Sequence, residues 1–199
     1  MKKTIGVLAL QGAFTSHVEM LTDIGAQAIE VREPEHLARI DALILPGGES
    51  TTMSKLLVSW GLIDPIRELC AQGLPIYGTC AGMILLADRL SEWNDLPRIG
   101  GLNMTVTRNA YGRQIDSFEA KLLIEIPGSE VFVREPFNGI FIRAPQIEAG
   151  SLGSAVEVLA SFEGLPVLVR QKTILAGSFH PELSGDSRLH AWFVREMTG

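Results

Sequence analysis

Five residues constrain the fold of this chain more than any others: Gly78-Thr79-Cys80-Ala81-Gly82. A short apolar run, Leu74-Pro75-Ile76-Tyr77, precedes them, and Met83-Ile84-Leu85-Leu86-Ala87, which holds no helix breaker, follows. The order predicts strand, tight turn, helix. Small residues on both sides of Cys80 let the backbone bend sharply, so the thiol stands clear at the strand's end. This is the nucleophile-elbow pattern G-x-[nucleophile]-x-G, with Cys in place of Ser. A helix N-terminus and a nearby imidazole would each favour the thiolate there, and backbone N–H groups of the turn could stabilise an oxyanion. A buried Cys packed between two glycines would leave the same five letters, and the pentapeptide alone does not choose between the two.

The segments around the elbow predict a parallel sheet. Thr4 to Leu10 is a nearly continuous apolar run, as in a strand covered on both faces. Gln11-Gly12 turns it into a helix, with Phe14, Val18, Leu21 and Ile24 at helical spacing and Gly25 as its stop. His17 reads as off that apolar stripe, a solvated or packing residue. Ala28 to Val31 is a second strand and Pro34 to Ile40 a brief helix or turn. Asp41 to Leu45 is a third strand. It runs into Pro46-Gly47-Gly48-Glu49-Ser50, where two glycines allow a ligand close to the backbone. Ser50 or Thr51 would cap the helix that follows. Met53 to Trp60 and Ile63 to Ala71 read as helices split by Gly61. The alternation β-α-β-α-β-α-β-α means a mostly parallel sheet with helices on both faces. After Leu90 the texture changes. Met104 to Thr107, Lys121 to Glu125, Phe137 to Arg143, Val156 to Ala160, Pro166 to Arg170 and Ile174 to Phe179 read as antiparallel strands, an added sheet within one domain of residues 1–199. Ser187 to Met197 closes the chain as a helix.

The balance of the chain excludes several classes. With 199 residues, 46% hydrophobic and 20% charged, it is a globular chain large enough for a substantial core. A net charge of −6 without any Lys or Arg block argues against nucleic acid as partner. No run is apolar over the ~18 residues of a membrane span, and Met1-Lys2-Lys3 leads into a strand without a cleavage site, so a cytoplasmic protein is expected. The two cysteines, Cys70 and Cys80, have no metal spacing, and Cys70 belongs to the helical pattern of Ile66 and Leu69 as an inert core residue.

A thiolate nucleophile needs a base and a group that orients it. Of His17, His36, His180 and His190, only His180 directly ends a strongly apolar strand, and Pro181-Glu182 follows it. In an extended segment residues i and i+2 point the same way. Glu182 could then fix the tautomer of His180 and stabilise its cation. His-Pro-Glu alone also suits a surface turn; together with the elbow it suggests a Cys-His-Glu triad.

Gly78-Thr79-Cys80-Ala81-Gly82 with His180-Pro181-Glu182 resembles the class I, triad-type glutamine amidotransferases. Gly6 to Gly12, Leu45 to Thr52, Arg108 to Gln114 with Asp116 to Glu119, and Phe141 to Pro145 are similar to the glutaminase subunits of pyridoxal 5′-phosphate synthase. The resemblance runs almost the full length. It implies a three-layer α/β fold with a flavodoxin-like core and added antiparallel strands. It implies glutamine hydrolysis with Cys80 as nucleophile, His180 as base and Glu182 as its orienter, and a glutamine site at Gly47, Gly48, Glu49, Arg108, Ile142 and Arg143. The ammonia would pass to a separate synthase subunit in a hetero-oligomer, and the chain itself would carry no bound cofactor and no metal. Three rivals remain in view. One is the glutaminase subunit of imidazole glycerol phosphate synthase, against which the stretches around Glu49 and Arg108 speak. The others are a cysteine peptidase or γ-glutamyl hydrolase, and a non-catalytic binding module.

Overall fold

Short, fully buried strands set up the fold. The computed structural model describes residues 2–92, 94–108, 117–126, 132 and 135–198. In chain order, β1 (Thr4–Leu8), α1 (Phe14–Asp23), β2 (Gln27–Val31), a 3₁₀ turn (Pro34–Arg39) and β3 (Ala42–Leu45) come first. Then follow α2 (Ser50–Ser59), α3 (Ile63–Ala71), β4 (Ile76–Thr79) and α4 (Ala81–Leu86). The later strands are β5 (Ala87–Leu90), β6 (Leu102–Thr107), β7 (Ser117–Leu122), β8 (Phe137–Ile142), β9 (Gln146–Ile147), β10 (Glu157–Phe162), β11 (Leu165–Gln171) and β12 (Ile174–Gly177). A 3₁₀ turn (Pro181–Leu183), α5 (Arg188–Trp192) and a π-helical turn (Phe193–Met197) close the chain. The expected C-terminal helix is thus short and loosens into that turn. Among the described residues no helix is long and apolar enough to cross a membrane.

Seven strands form the central sheet in the order β10-β11-β12-β4-β3-β1-β2. The five from β12 to β2 are parallel. Every residue of β3, β4 and β12 is buried, as expected where both faces are covered. Alternate side chains of a strand serve opposite faces. Leu43 and Leu45 join the core under α2, α3 and α4, with Met53, Leu57, Ile66 and Met83. Ala42 and Ile44 join the other core, with Leu21 of α1, Leu189 and Trp192 of α5, and Phe137 and Phe141 of β8.

The C-terminal strands differ from the sequence reading. They do not make one added antiparallel sheet. β12 enters the central sheet parallel to β4, and β11 and β10 extend that sheet antiparallel from it. β5 pairs with β6 in parallel, and among the described residues only β6–β9 and β7–β8 are separate antiparallel pairs. The reason is burial: Leu175 and Ala176 are wholly shielded, which an edge or one-sided sheet cannot supply.

The elbow itself forms as the sequence predicts, with close packing as its condition. A Cβ on Gly82 would lie 2.1 Å from the Leu45 carbonyl oxygen, and one on Gly78 would lie 2.7 Å from Gly82 backbone. Helix α4 can therefore sit on the ends of β3 and β4 only if both residues lack side chains. Gly82→Ala should lower the free energy of unfolding by about 1–3 kcal/mol, the usual cost of overpacking. A urea midpoint equal to that of the parent chain would disprove this account of the elbow.

Candidate active site

Parallel strands end at one edge, and four neighbours in the sheet deliver the site there. Gln11 follows β1, the Pro46 to Glu49 loop follows β3, Cys80 follows β4 and His180 follows β12. Gly177 pairs with Thr79 across β12 and β4, and the Cys80 N–H donates to the Gly177 carbonyl at 2.8 Å. Chain segments a hundred residues apart thus leave the sheet side by side.

Cys80 has φ 50° and ψ −104°, a conformation that costs energy for any residue but glycine. Its thiol is almost buried, and Sγ lies 3.9 Å from the Ile142 carbonyl oxygen. Arg143, the next residue, also has positive φ, 43°. The other two described non-glycine residues with positive φ, Glu163 and Lys172, lie in the hairpin turns between β10, β11 and β12. Among the described non-glycine residues, positive φ outside the hairpins is therefore confined to the cleft. That cleft, of about 280 Å³, is lined by Cys80, His180, Gly48, Glu49, Arg108, Ile142 and Arg143, with Gln11, Ser50, Ala81 and Ile84.

The His180 backbone N–H donates to the Ile140 carbonyl at 2.7 Å, which ties this residue to β8. Its Nδ1 stands 2.7 Å from Glu182 Oε1. The pairing is as expected but its origin is not: Pro181–Leu183 is a 3₁₀ turn, not extended chain. The turn folds the buried carboxylate back onto the ring. Gly47 belongs to the same arrangement, because a Cβ there would lie 2.3 Å from His180 Cε1. Burial disfavours the His180 cation. The hydrogen bonds and charges of Cys80 and Glu182 outweigh burial and bring its pKa up to about 10. At neutral pH His180 is an imidazolium facing the sulfur, which favours attack by thiolate and supplies an acid for a leaving group.

Glu49, rather than Ser50 or Thr51, caps α2. Its Oε1 accepts from the Thr51 N–H at 3.0 Å, and its Oε2 accepts from the Thr52 N–H at 2.7 Å and the Thr52 hydroxyl at 2.6 Å. Although desolvation opposes it, these bonds hold the carboxyl at a pKa of about 2. Arg108 Nη2 donates to Thr51 Oγ1 at 3.0 Å and reaches Glu49 Oε1 at 3.4 Å. Asn109 to Asp116, part of the stretches quoted with Arg108, lie outside the described residues. Gln11 is a site residue that the sequence reading lacks. Its Oε1 accepts from the Glu49 N–H at 2.9 Å, while the Ala13 N–H donates to the Gly47 carbonyl at 2.9 Å, so the β1 loop braces the glycine loop. A polar residue directly after a buried strand was the available signal.

His17 is another correction. It is wholly buried, in contact with the site from behind. It stands three residues after Phe14 and four before Leu21, so it lies on the apolar stripe, not off it. Cys70 is half-buried, and burial followed by the charge of Asp88 pushes its thiol pKa up, which suits an inert residue. Among the described residues no three of His, Cys, Asp and Glu are grouped to hold a metal ion.

The raised pKa of His180 has a consequence for stability. The folded value, about 10, exceeds the ordinary value of about 6.5. Protonation therefore stabilises the fold in full below about pH 6.5, and the gain is lost as pH rises through about 10. The gap in melting temperature between the parent chain and His180→Asn should narrow steadily across that window. A gap independent of pH would refute the assignment.

Comparison with known proteins places the chain in a family. The chain matches the SNO glutamine amidotransferase family over residues 7–199. It is 50% identical over 194 residues to pyridoxal 5′-phosphate synthase subunit PdxT of Herpetosiphon aurantiacus, covering 96% of this chain and 98% of that one. It is 53% identical over 191 residues to the protein of the same name from Frankia alni, covering 96% and 92%. A crystal structure of a glutamine amidotransferase matches with a TM-score of 0.89 at 48% identity over 98% of both chains. The structure of PurLQS from Thermotoga maritima, at 16% identity and a TM-score of 0.70 over 100% of this chain and 98% of that one, shares the fold. Sequence and architecture agree from residue 7 onward, and the chain belongs to the SNO glutamine amidotransferase family.

Proposed function

We propose that this chain hydrolyses L-glutamine to L-glutamate and ammonia, as the glutaminase subunit of pyridoxal 5′-phosphate synthase, and hands the ammonia to the synthase subunit. The observation that carries this reading is the cleft: Cys80 on a strained elbow beside an imidazole held by Glu182 at 2.7 Å. The sulfur attacks the side-chain amide carbon. His180 gives its proton to the departing nitrogen, and ammonia leaves a γ-glutamyl thioester. His180 then takes a proton from water as the water adds to the thioester carbon, collapse expels the thiolate, and the new carboxylic acid loses its proton to ammonia or solvent, which restores the thiolate beside the imidazolium. Glu182 steadies the imidazolium throughout. Arg108 and Arg143 line the cleft with Gly48 and Glu49, and an arginine there suits the α-carboxylate of an amino acid. The Ile142 and Gly47 backbones close the space around sulfur and base.

Glutamate release should vanish in Cys80→Ala and persist in Cys70→Ala. His180→Asn should lose about 10²–10⁴ in rate, as for a missing general acid–base group, and Glu182→Gln should lose less because the ring remains. Labelling of Cys70, or of the Cys80→Ala protein, by a glutamine-analogue electrophile such as diazo-oxo-norleucine would overturn the choice of nucleophile.

The glycine loop suggests how the activity is controlled. In the chain alone the Glu49 N–H is taken by Gln11 and the Gly47 carbonyl by Ala13. A glycine peptide can reorient at little steric cost, and an absent oxyanion donor costs roughly 10²–10³ in rate. A partner that binds the productive loop more tightly would switch the enzyme on. Titrating the synthase subunit into a fixed amount of this chain should raise glutamate production by a large factor, without phosphate substrates. Equal turnover with and without the partner would favour a self-sufficient hydrolase.

A further inference from the structure

Behind the site lies a second set of polar side chains that the reaction above does not use. His17 on α1 places Nε2 3.4 Å from Glu182 Oε2 and 3.2 Å from Thr79 Oγ1. Its Nδ1 lies 2.8 Å from Nε2 of His190 on α5. His17, Thr79 and His190 are wholly buried, as is the Glu182 side chain. The order His190, His17, Glu182, His180 is thus a continuous line of polar groups leading from the second core to the cleft.

The tautomers follow from accounting for protons. Burial, then the charges of His190 and His180, hold the His17 pKa well below its usual value, and burial brings that of His190 down to about 4. Both rings are neutral at pH 7, with one N–H each. His190 Nδ1 has no hydrogen-bond partner. If His17 carried its proton on Nδ1, His190 would have to accept on Nε2. Its own proton would then sit on Nδ1, a buried donor with nothing to receive it. The bare Nε2 of His17 would also face a carboxylate oxygen. With both protons on Nε2 the line is consistent: His190 donates to His17 Nδ1, and the His17 N–H faces Glu182 Oε2 and Thr79 Oγ1. A bare nitrogen lone pair on His190 and the hydroxyl hydrogen of Thr79, which can rotate about its C–O bond, are left over, a smaller cost than a fixed ring N–H stranded beside a repelled carboxylate.

Glu182 Oε2 makes no hydrogen bond of good geometry. At 3.4 Å the His17 N–H acts on it mainly through electrostatic attraction, which is strong in a buried site. We propose that His17, held in its Nε2–H tautomer by His190, is a positioning residue that presents an N–H to the second oxygen of Glu182 and keeps that carboxylate aimed at His180. The inference rests on the triad reading.

The test is a cycle of variants assayed for glutamate release with the synthase subunit present. His17→Leu should lower kcat about tenfold, in line with the loss of one interaction with a buried charged group, with KM unchanged. His17→Gln, whose amide can supply an N–H, should recover most of the loss. In a Glu182→Gln background, His17→Leu should change kcat by less than about twofold, because a group that acts through Glu182 has nothing left to act on. A folded His17→Leu protein with the parent's kcat, or the same loss in both backgrounds, would overturn the proposal. If His17→Leu does not fold, the ¹⁵N shifts of His17 in the parent chain decide: a protonated Nε2 is expected, and a protonated Nδ1 overturns it. A fully active Glu182→Gln variant would instead refute the triad reading, and this inference with it.

Discussion

The parallel pairing of β12 with β4 is the constraint on which the rest depends. It sets Gly177 opposite Thr79, so that Cys80 and His180 emerge from neighbouring strands at the same edge. A parallel pair cannot be joined by a tight turn. Here the connection carries β5 to β11, including both small sheets. The chain closes a very long loop before His180 can meet Cys80. Complete burial of β4 and β12 is the return on that closure, because apolar area removed from water is the main favourable term in folding. The geometry of the cleft is thus a by-product of the most buried part of the core.

Around that pairing, space is as important as charge. The elbow requires Gly78 and Gly82, and the imidazole requires Gly47. Gly12, with φ 97°, allows the β1 loop to reach the Gly47 carbonyl, where any side chain would collide with the oxygen. The segments after β1, β3 and β4 therefore approach to backbone distance, and the imidazole that follows β12 packs onto Gly47. Strain at Cys80 and Arg143 is held in place by this packing, as expected where a site is preorganised by its surroundings.

Charge is graded from the mouth of the cleft inward. At the mouth, Glu49 and Arg108 are tied to the start of α2, where exposed N–H groups favour a carboxylate. Within, the Glu182 carboxylate and the sulfur hold His180 as a cation. Deeper still, His17 and His190 are too well buried to charge and serve as neutral dipoles. Three buried histidines thus fall into two charge states because of where the fold places them.

Sequence by itself determined the local elements. Strand, turn and helix at Cys80, the helix from Ile63 to Ala71, the glycine loop after β3 and the buried strand that leads to His180 were all legible, because each is encoded by neighbours within a few residues. Tertiary structure decided the partners. Ile174 to Phe179 has the same letters whether it edges an added sheet or lies beside β4, and only the burial available to it selects the second. The turn that folds Glu182 onto His180, the capping by Glu49 and the burial of His17 were settled in the same way. Hydrophobic period and turn chemistry act along the chain, whereas strand direction, carboxylate partners and protonation depend on groups that are distant in sequence and adjacent only after folding.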